Sequence, residues 1–365
     1  MYNQILRVMK KRKFKTIVLL SLVSVILIPP GFAQNEVTKE FHESFNADDN
    51  TRLVIDNKYG NIDIKDWDQN TVKIDVIVTV KHSNRDKAEK LLDYINVNIG
   101  EEGNEIKAIT SFDDKFGNLA GDNSDKSVNY TVQMPADISI AIANKYGDVF
   151  INKVTGHADV SVKYGNLKAN KILYGDEKPL SQVNLKYSES SSIEEANWLK
   201  LDMKYAHLNI DNVKALVLLS GYSEVEVGGA SSIVSEGGYD QYRFGKLDNF
   251  VTTTKYSNIK IEEISKKFDC TSKYSSVKIG YMPAGFESVT VDNKYGGFKI
   301  GIDDNASYKL EGEASYAKIN YNETGRVNRI SENNRMTVSG TVGNDSGTKS
   351  SVKIQTSYGS VYLKR

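Results

Sequence analysis

The chain has 365 residues, with 47 basic and 47 acidic side chains and one cysteine. A single cysteine excludes a framework of intrachain disulfides. The balanced charge argues against nucleic acid as the main partner, because nucleic-acid binding depends on a clustered excess of positive charge.

Residues 1–33 are predicted to be a secretory signal peptide. Five of the six residues from Lys10 to Lys15 are basic, and an apolar run of 13 residues follows, from Thr16 to Ile28. That run is shorter than the ~20 residues that span a bilayer, and Ala33 ends a small-residue cleavage site. An uncleaved membrane anchor is the alternative. The prediction is an exported protein of the bacterial periplasm or cell surface, with no stable membrane span after cleavage.

Residues 34–130 are predicted to form N-terminal strands, one short helix and a cap or insertion. The segment 71–80, TVKIDVIVTV, alternates as a strand does. A hairpin is expected over 95–109 and a polar loop over 113–127. The helix is predicted over 83–95, from one apolar face: Ala88, Leu91, Leu92 and Ile95. Such a segment would protect the end of a stacked repeat from edge pairing.

Residues 131–365 are dominated by a repeated tyrosine step, which also occurs once before them. The spacing between successive steps is 17 to 23 residues from Tyr146 to Tyr316, and the final interval of 42 residues predicts a copy without tyrosine near 335–340. We call each such tyrosine with its two flanking strands a repeat unit. Tyr239, followed by Asp240, is a degenerate copy. The tyrosines followed by a small residue are Tyr59, Tyr146, Tyr164, Tyr187, Tyr205, Tyr222, Tyr256, Tyr274, Tyr295, Tyr316 and Tyr358.

The alternation of side chains slips by one residue at each tyrosine. Ile142 and Tyr146 share one phase, and the apolar phase after the tyrosine starts at Gly147 and continues at Val149. A chain does this where it turns a corner or bulges while keeping one face inward, and glycine is favoured there because it adopts positive φ without strain. The pattern predicts an all-β, single-stranded β-solenoid or β-helix of about a dozen 17–23-residue coils. An antiparallel sandwich or meander is the second choice.

The tyrosines are predicted to be structural corners of the repeat. Their phase with the apolar positions favours a buried aromatic ladder, in which ring pairs stabilise neighbouring units. Stacking on sugar rings or other aromatic ligands is the alternative interpretation.

A lysine precedes eight of these tyrosines and has the opposite parity, so it is expected to point outward once per unit. A column of like charges is a candidate binding stripe for an anionic polymer or for lipid head groups. The alternative is a solubilising face, partly neutralised by acids such as Asp63 and Asp148. The eight residues are Lys58, Lys145, Lys163, Lys186, Lys204, Lys255, Lys273 and Lys294.

No catalytic, cofactor-binding or metal-binding residue is predicted. Adjacent carboxylates in an extended chain point in opposite directions, whereas polysaccharide hydrolysis needs two converging acids. The adjacent pairs are Glu194–Glu195, Glu262–Glu263 and Asp303–Asp304. The histidines have no metal-ligand spacing, and these are His42, His82, His157 and His207. Cys270 shares the phase of core positions and is expected to be a small core residue.

Residues 128–151, VNYTVQMPADISIAIANKYGDVFI, are followed by GHADVSVKYGNLKA. Together they resemble the exported β-strand-repeat family named "putative adhesins", a bacterial domain of unknown function. The resemblance covers about residues 51–365 and implies the repeat fold. It carries over no catalytic residues. This chain departs from the family pattern by having Tyr-Gly or Tyr-Ser where the family has a small residue followed by glycine.

The predicted function is a non-enzymatic, exported, adhesin-like interaction protein that presents an extended β-solenoid surface to a glycan or protein of the envelope or cell surface. One alternative is a periplasmic structural or envelope-stress regulatory component. The other is a polysaccharide-acting β-helix enzyme. No cofactor is expected.

Overall fold

A computed structural model describes residues 35–120 and 124–364. The chain is nearly all β, as the alternation predicts: twenty-four strands belong to one large open sheet. The predicted signal peptide, residues 1–33, lies outside the described residues.

The N-terminal part holds two short helices instead of the single predicted one. The first helix begins at its N-cap Asn84, whose side chain accepts a hydrogen bond from the Lys87 backbone N–H at 3.0 Å. The second helix lies where a polar loop was expected, because Phe116 is buried and packs against Phe112 at 5.1 Å. The elements are β1 Asn35–Asn46, β2 Arg52–Lys58, β3 Ile62–Trp67, β4 Thr71–His82, α1 Arg85–Asp93, β5 Ile95–Glu102, β6 Glu105–Phe112, α2 Asp114–Ala120 and β7 Asp125–Pro135.

Two of these N-terminal strands, β6 and β7, pair with β2 and β3, the strands on either side of Tyr59. β6 pairs in parallel with β2, and the expected β5–β6 hairpin is present. β7 pairs in parallel with β3, and β4 lies antiparallel between β7 and β1. The backbone groups of β2 and β3 are therefore not left at an open edge.

The repeat part contains the remaining seventeen strands. They are β8 Ser139–Lys145, β9 Val149–Val154, β10 Ala158–Lys163, β11 Leu167–Ile172, β12 Ser181–Gly221, β13 Glu224–Gly238, β14 Gln241–Lys255, β15 Asn258–Lys273, β16 Ser276–Met282, β17 Ser288–Lys294, β18 Gly297–Ile302, β19 Tyr308–Ser315, β20 Ile319–Tyr321, β21 Gly325–Glu332, β22 Arg335–Val342, β23 Ser351–Ser357 and β24 Val361–Leu363.

Neighbouring repeat units pair in parallel and in register. The strand before one tyrosine pairs with the strand before the next, as β8 does with β10, and the strand after it pairs likewise, as β9 does with β11. Equivalent residues of successive units therefore lie side by side, about 4.8 Å apart. The inward positions form one continuous apolar core.

The last units are not arranged in chain order. The prediction of a repeat copy near 335–340 is wrong. β21 and β22 form an antiparallel hairpin there, and β22 also pairs antiparallel with β19. β23 instead lies between β17 and β19, in parallel with both. The hairpin covers the outer edge of β19, which would otherwise be exposed to pairing with another chain.

Candidate functional site

Every tyrosine at the corner of a repeat unit lies in the left-handed backbone region. Twelve tyrosines, including the degenerate copy Tyr239, have φ between 52° and 66°. This conformation is unfavourable for a residue with a Cβ, by about 1–2 kcal/mol, and its recurrence marks a position that the surrounding structure imposes. The expectation that the following glycines supply the positive φ is wrong, because the tyrosine itself turns the corner.

The left-handed conformation also overturns the predicted burial of the tyrosines. Eleven of the twelve rings are 41–61% exposed, and the remaining one, Tyr59, is partly buried. Strand parity assumes extended backbone, so it does not predict the direction of a side chain at positive φ. The tyrosines therefore stand on the surface at the corner between the two strands of each unit.

The exposed rings form one continuous stack. Successive centroids are 4.7–5.3 Å apart and the ring planes are inclined by 1–19°. Because β23 is inserted between β17 and β19, Tyr358 lies between Tyr295 and Tyr316 in this stack. We call these twelve rings the tyrosine stack. Their faces are covered by one another, so along its length the stack presents ring edges and phenol oxygens to solvent.

Replacing Tyr164 tests the left-handed corner. Its ring lies between Tyr146, at 5.1 Å, and Tyr187, at 4.8 Å, and its φ is 56°. Tyr164→Ala is expected to lower the free energy of unfolding by about 2 kcal/mol, since it removes two aromatic contacts. Tyr164→Gly is expected to cost about 1 kcal/mol less than Tyr164→Ala, because glycine tolerates positive φ. Urea-unfolding midpoints measure both, and equal losses would contradict the proposed strain.

The residue after each tyrosine lies against the backbone of the neighbouring unit. A Cβ at Gly147, Gly165, Gly296 or Gly359 would overlap backbone atoms of the adjacent unit, and one at Gly60 would overlap the backbone of Val128 in β7. In three of these units the chain reads Asn-Lys-Tyr-Gly, and the buried asparagine amide hydrogen-bonds a backbone carbonyl at the corner. Asn144 Nδ2 donates to the Gly60 oxygen at 2.9 Å. The residue after the tyrosine must therefore be small.

Where serine replaces glycine, its hydroxyl links one unit to the next. The Ala206 N–H donates to Ser223 Oγ at 3.3 Å, and the Ser257 N–H donates to Ser275 Oγ at 3.1 Å. Asp240 occupies the same position and accepts from the Ser223 N–H at 2.9 Å. Burial raises the pKa of the Asp240 carboxyl. These bonds fix the corner beneath the stack.

The eight lysines form a registered column beside the tyrosine stack, which we call the lysine column. Lys58 pairs directly with Lys145, Lys145 with Lys163, and Lys163 with Lys186. Lys255, Lys273 and Lys294 continue the column in the same register. All eight are partly or fully exposed. Like charges placed directly opposite one another on a sheet destabilise it.

The lysine column is not neutralised within the described part of the chain. No salt bridge among the described residues involves any of the eight lysines. Five of them instead hold Nζ beside their own tyrosine ring, at 4.7–5.7 Å from the centroid. These five ammonium groups are therefore held beside the stack by cation–π contacts, and none of the eight is bound to an acid among the described residues.

A shallow groove runs along the other side of the stack. Small residues after the tyrosines form its floor, and two segments of it have volumes of about 660 and 470 Å³. Its outer margin is a second registered column of polar side chains: His207, Glu224, Gln241, Asn258 and Ser276. The tyrosine stack is thus flanked by lysines on one side and by mostly uncharged hydrogen-bonding groups on the other.

The carboxylate pairs considered from the sequence lie on the surface and contact neighbouring side chains. Glu195 forms a salt bridge with Lys171 at 3.0 Å, and Glu263 lies 3.8 Å from Lys246. Asp303 accepts a hydrogen bond from the Tyr281 hydroxyl at 2.9 Å. These contacts give each pair a structural partner.

Among residues 35–120 and 124–364, the structure brings together one set of side chains that could ligate a metal ion, which the sequence spacing did not indicate. Atoms of His207, Glu224 and Glu226 lie within 4.8 Å of one another, because His207 and Glu224 are register partners in adjacent units. The Arg243 guanidinium contacts both glutamates. One guanidinium of the next unit therefore already compensates part of their negative charge.

Cys270 is buried, as its phase predicts, and burial raises the pKa of its thiol to about 12. Because the thiolate is the reactive form, this cysteine is held in its inert state at neutral pH.

No helix in residues 35–120 and 124–364 is both long and apolar enough to cross a membrane.

No family model matches the sequence, and no curated protein matches it. Among solved structures, the chain is similar to a "putative adhesin" from Parabacteroides merdae, with 12% identity, a TM-score of 0.35, and coverage of 73% of this chain and 92% of that one. A "putative lipid binding protein" from Parabacteroides distasonis has 13% identity, a TM-score of 0.34 and coverage of 67% and 94%. A "putative cell adhesion protein" from Clostridium sporogenes has 12% identity, a TM-score of 0.18 and coverage of 89% and 99%.

Proposed function

We propose that this chain is a non-enzymatic, exported, adhesin-like interaction protein that binds an elongated partner along one corner of a β-solenoid. The observation that carries the proposal is the exposed tyrosine stack, bordered along its length by the lysine column. Twelve rings and eight lysines repeat with the unit spacing. A surface with a regular period in one direction is suited to a partner that repeats in the same direction.

The parallel, in-register pairing of successive units supports the solenoid arrangement. So does the residue after each tyrosine, which touches the backbone of the adjacent unit. Export is supported by the basic and apolar character of residues 10–28.

The geometry also bears on how a ligand would be held. Because the ring faces are covered within the stack, a sugar ring has no tyrosine face to stack on along its length. The partner would instead meet phenol hydroxyls, lysine ammonium groups and the polar groups of the groove. Hydrogen bonding and charge, rather than aromatic stacking, would therefore decide specificity.

Screening the chain from residue 35 onward on glycan and envelope-component arrays tests the proposal. A matched variant, Tyr256→Phe with Tyr274→Phe, removes two phenol hydroxyls that line the groove and keeps the rings that stack. Tyr362→Phe is the control, since Tyr362 is 42% exposed and lies outside the stack. We expect binding that the double variant weakens and the control does not. Absence of binding above background would contradict the proposed function, and an equal effect of both variants would contradict its site.

A further inference from the structure

The lysine column is a single line of charge, one residue wide. The outward positions two residues before the lysines hold acids in several units: Asp56, Asp202 and Asp292. An anionic surface lying flat on this face would meet those carboxylates as well as the lysines. A single chain following the column would meet the ammonium groups alone.

The line has two parts. Five lysines, from Lys58 to Lys204, occupy consecutive units, and three more run from Lys255 to Lys294. Between them, Gly221 and Gly238 occupy the lysine position. The positive charge is thus concentrated in one longer and one shorter run with a two-unit interval.

We propose, on the basis of the proposed function, that the lysine column binds a linear acidic polysaccharide of the polyuronate class, which carries one carboxylate on each sugar ring. The length of one pyranose unit in such a chain is similar to the strand spacing of about 4.8 Å. Carboxylates on the side of the polysaccharide that faces the column can therefore meet ammonium groups at the unit spacing or a multiple of it, and the sugar hydroxyls lie beside the phenol oxygens of the tyrosine stack.

The charge arrangement in the unbound protein supports this ligand. Register-paired lysines repel one another, and no described acidic side chain forms a salt bridge with them. A polyanion placed along the column removes that repulsion at several units at once. Binding should accordingly weaken as salt is raised from about 50 to 500 mM, because salt screens exposed charges.

The chain offers a matched control for the lysine column. Lys260, Lys278 and Lys299 are also exposed, are also register partners in adjacent units, and form no salt bridge with a described residue. They lie on the strands after the tyrosines, on the far side of the groove from the lysine column. Changing them removes the same charge without touching the proposed site.

Isothermal titration of the chain from residue 35 onward with polygalacturonate tests the proposal. The triple variant Lys145→Gln, Lys163→Gln, Lys186→Gln is expected to weaken binding about tenfold, from three exposed charge contacts. The control Lys260→Gln, Lys278→Gln, Lys299→Gln is expected to change it by less than about twofold. Fully methyl-esterified polygalacturonate is expected not to bind. Circular dichroism and melting temperature verify that both variants are folded.

A gain of binding gives an independent test. There is room for a side chain at Gly221, because an added Cβ would meet nothing closer than the Gly238 backbone oxygen, at 3.9 Å. Gly221→Lys extends the longer run from five lysines to six and is expected to tighten polygalacturonate binding about twofold.

An equal loss of polygalacturonate affinity in the two triple variants would overturn the lysine column as the binding site, because general charge attraction would then explain the binding. Equal binding of the methyl ester would overturn the requirement for carboxylates. Binding to phosphatidylglycerol vesicles without binding to polygalacturonate would replace the polysaccharide with a membrane surface. If the arrays show another ligand at the tyrosine stack and polygalacturonate does not bind, this inference fails while the proposed function stands.

Discussion

Gly296→Ala is expected to lower the free energy of unfolding by about 3 kcal/mol, at the upper end of the cost of overpacking. The added Cβ would overlap the backbone oxygen of Ser275 and lie 2.7 Å from Asn293 Oδ1. Neither atom can move freely. Ser275 belongs to the adjacent unit, and Asn293 is held by hydrogen bonds to the Gly296 oxygen at 2.7 Å and to Thr356 Oγ1 at 2.9 Å.

The next residue supplies the control. Gly297 is exposed, and a Cβ there would meet nothing within 4 Å. Gly297→Ala is expected to leave stability unchanged or to raise it by up to about 1 kcal/mol, through the reduced entropy of the unfolded chain. Urea-unfolding midpoints compare the two variants. Similar values for both would show that the tyrosine corner does not pack against the neighbouring backbone as the structure has it.

Phe268→Ala is expected to cost about 4 kcal/mol of stability, as for other large buried aromatic residues. Phe268 is 0% exposed and lies in the core between Phe250, at 6.1 Å, and Phe298, at 6.4 Å. Its loss leaves a cavity in contact with the units on both sides. Since each unit is stabilised mainly by its neighbours, the cavity weakens two interfaces together.

Phe150→Ala is the matched control, because Phe150 is only partly buried. It is expected to cost less than about 1 kcal/mol, the usual range for a surface substitution. Thermal and urea denaturation distinguish the two variants. A loss at Phe150 as large as that at Phe268 would contradict the assignment of inward and outward faces.

Part of the architecture could be predicted from local sequence. Alternation fixes the strands, the spacing of the tyrosines fixes the units, and the change of phase at each tyrosine places a corner there. The lysine parity placed the lysines outward, because they precede the corner and still follow the extended backbone. The sequence also predicts a small residue after the tyrosine, but it attributes that residue to a positive φ at the glycine. It is small because the adjacent backbone touches it, and the tyrosine takes the positive φ.

Other features depend on contacts between residues far apart in sequence. The direction of the tyrosine rings follows from a left-handed φ, which the alternation of side chains does not record. β23 pairs with both β17 and β19, and no local sequence pattern specifies that pairing. Residues 335–340, where a further repeat copy is expected from the spacing, belong instead to the β21–β22 hairpin. The sequence by itself determined the strands, the period and the outward lysines, because these depend on alternation along one strand. Only the tertiary structure decided that the tyrosines form an exposed stack beside lysines that have no salt bridge to a described residue, because that surface arises from registered contacts between units.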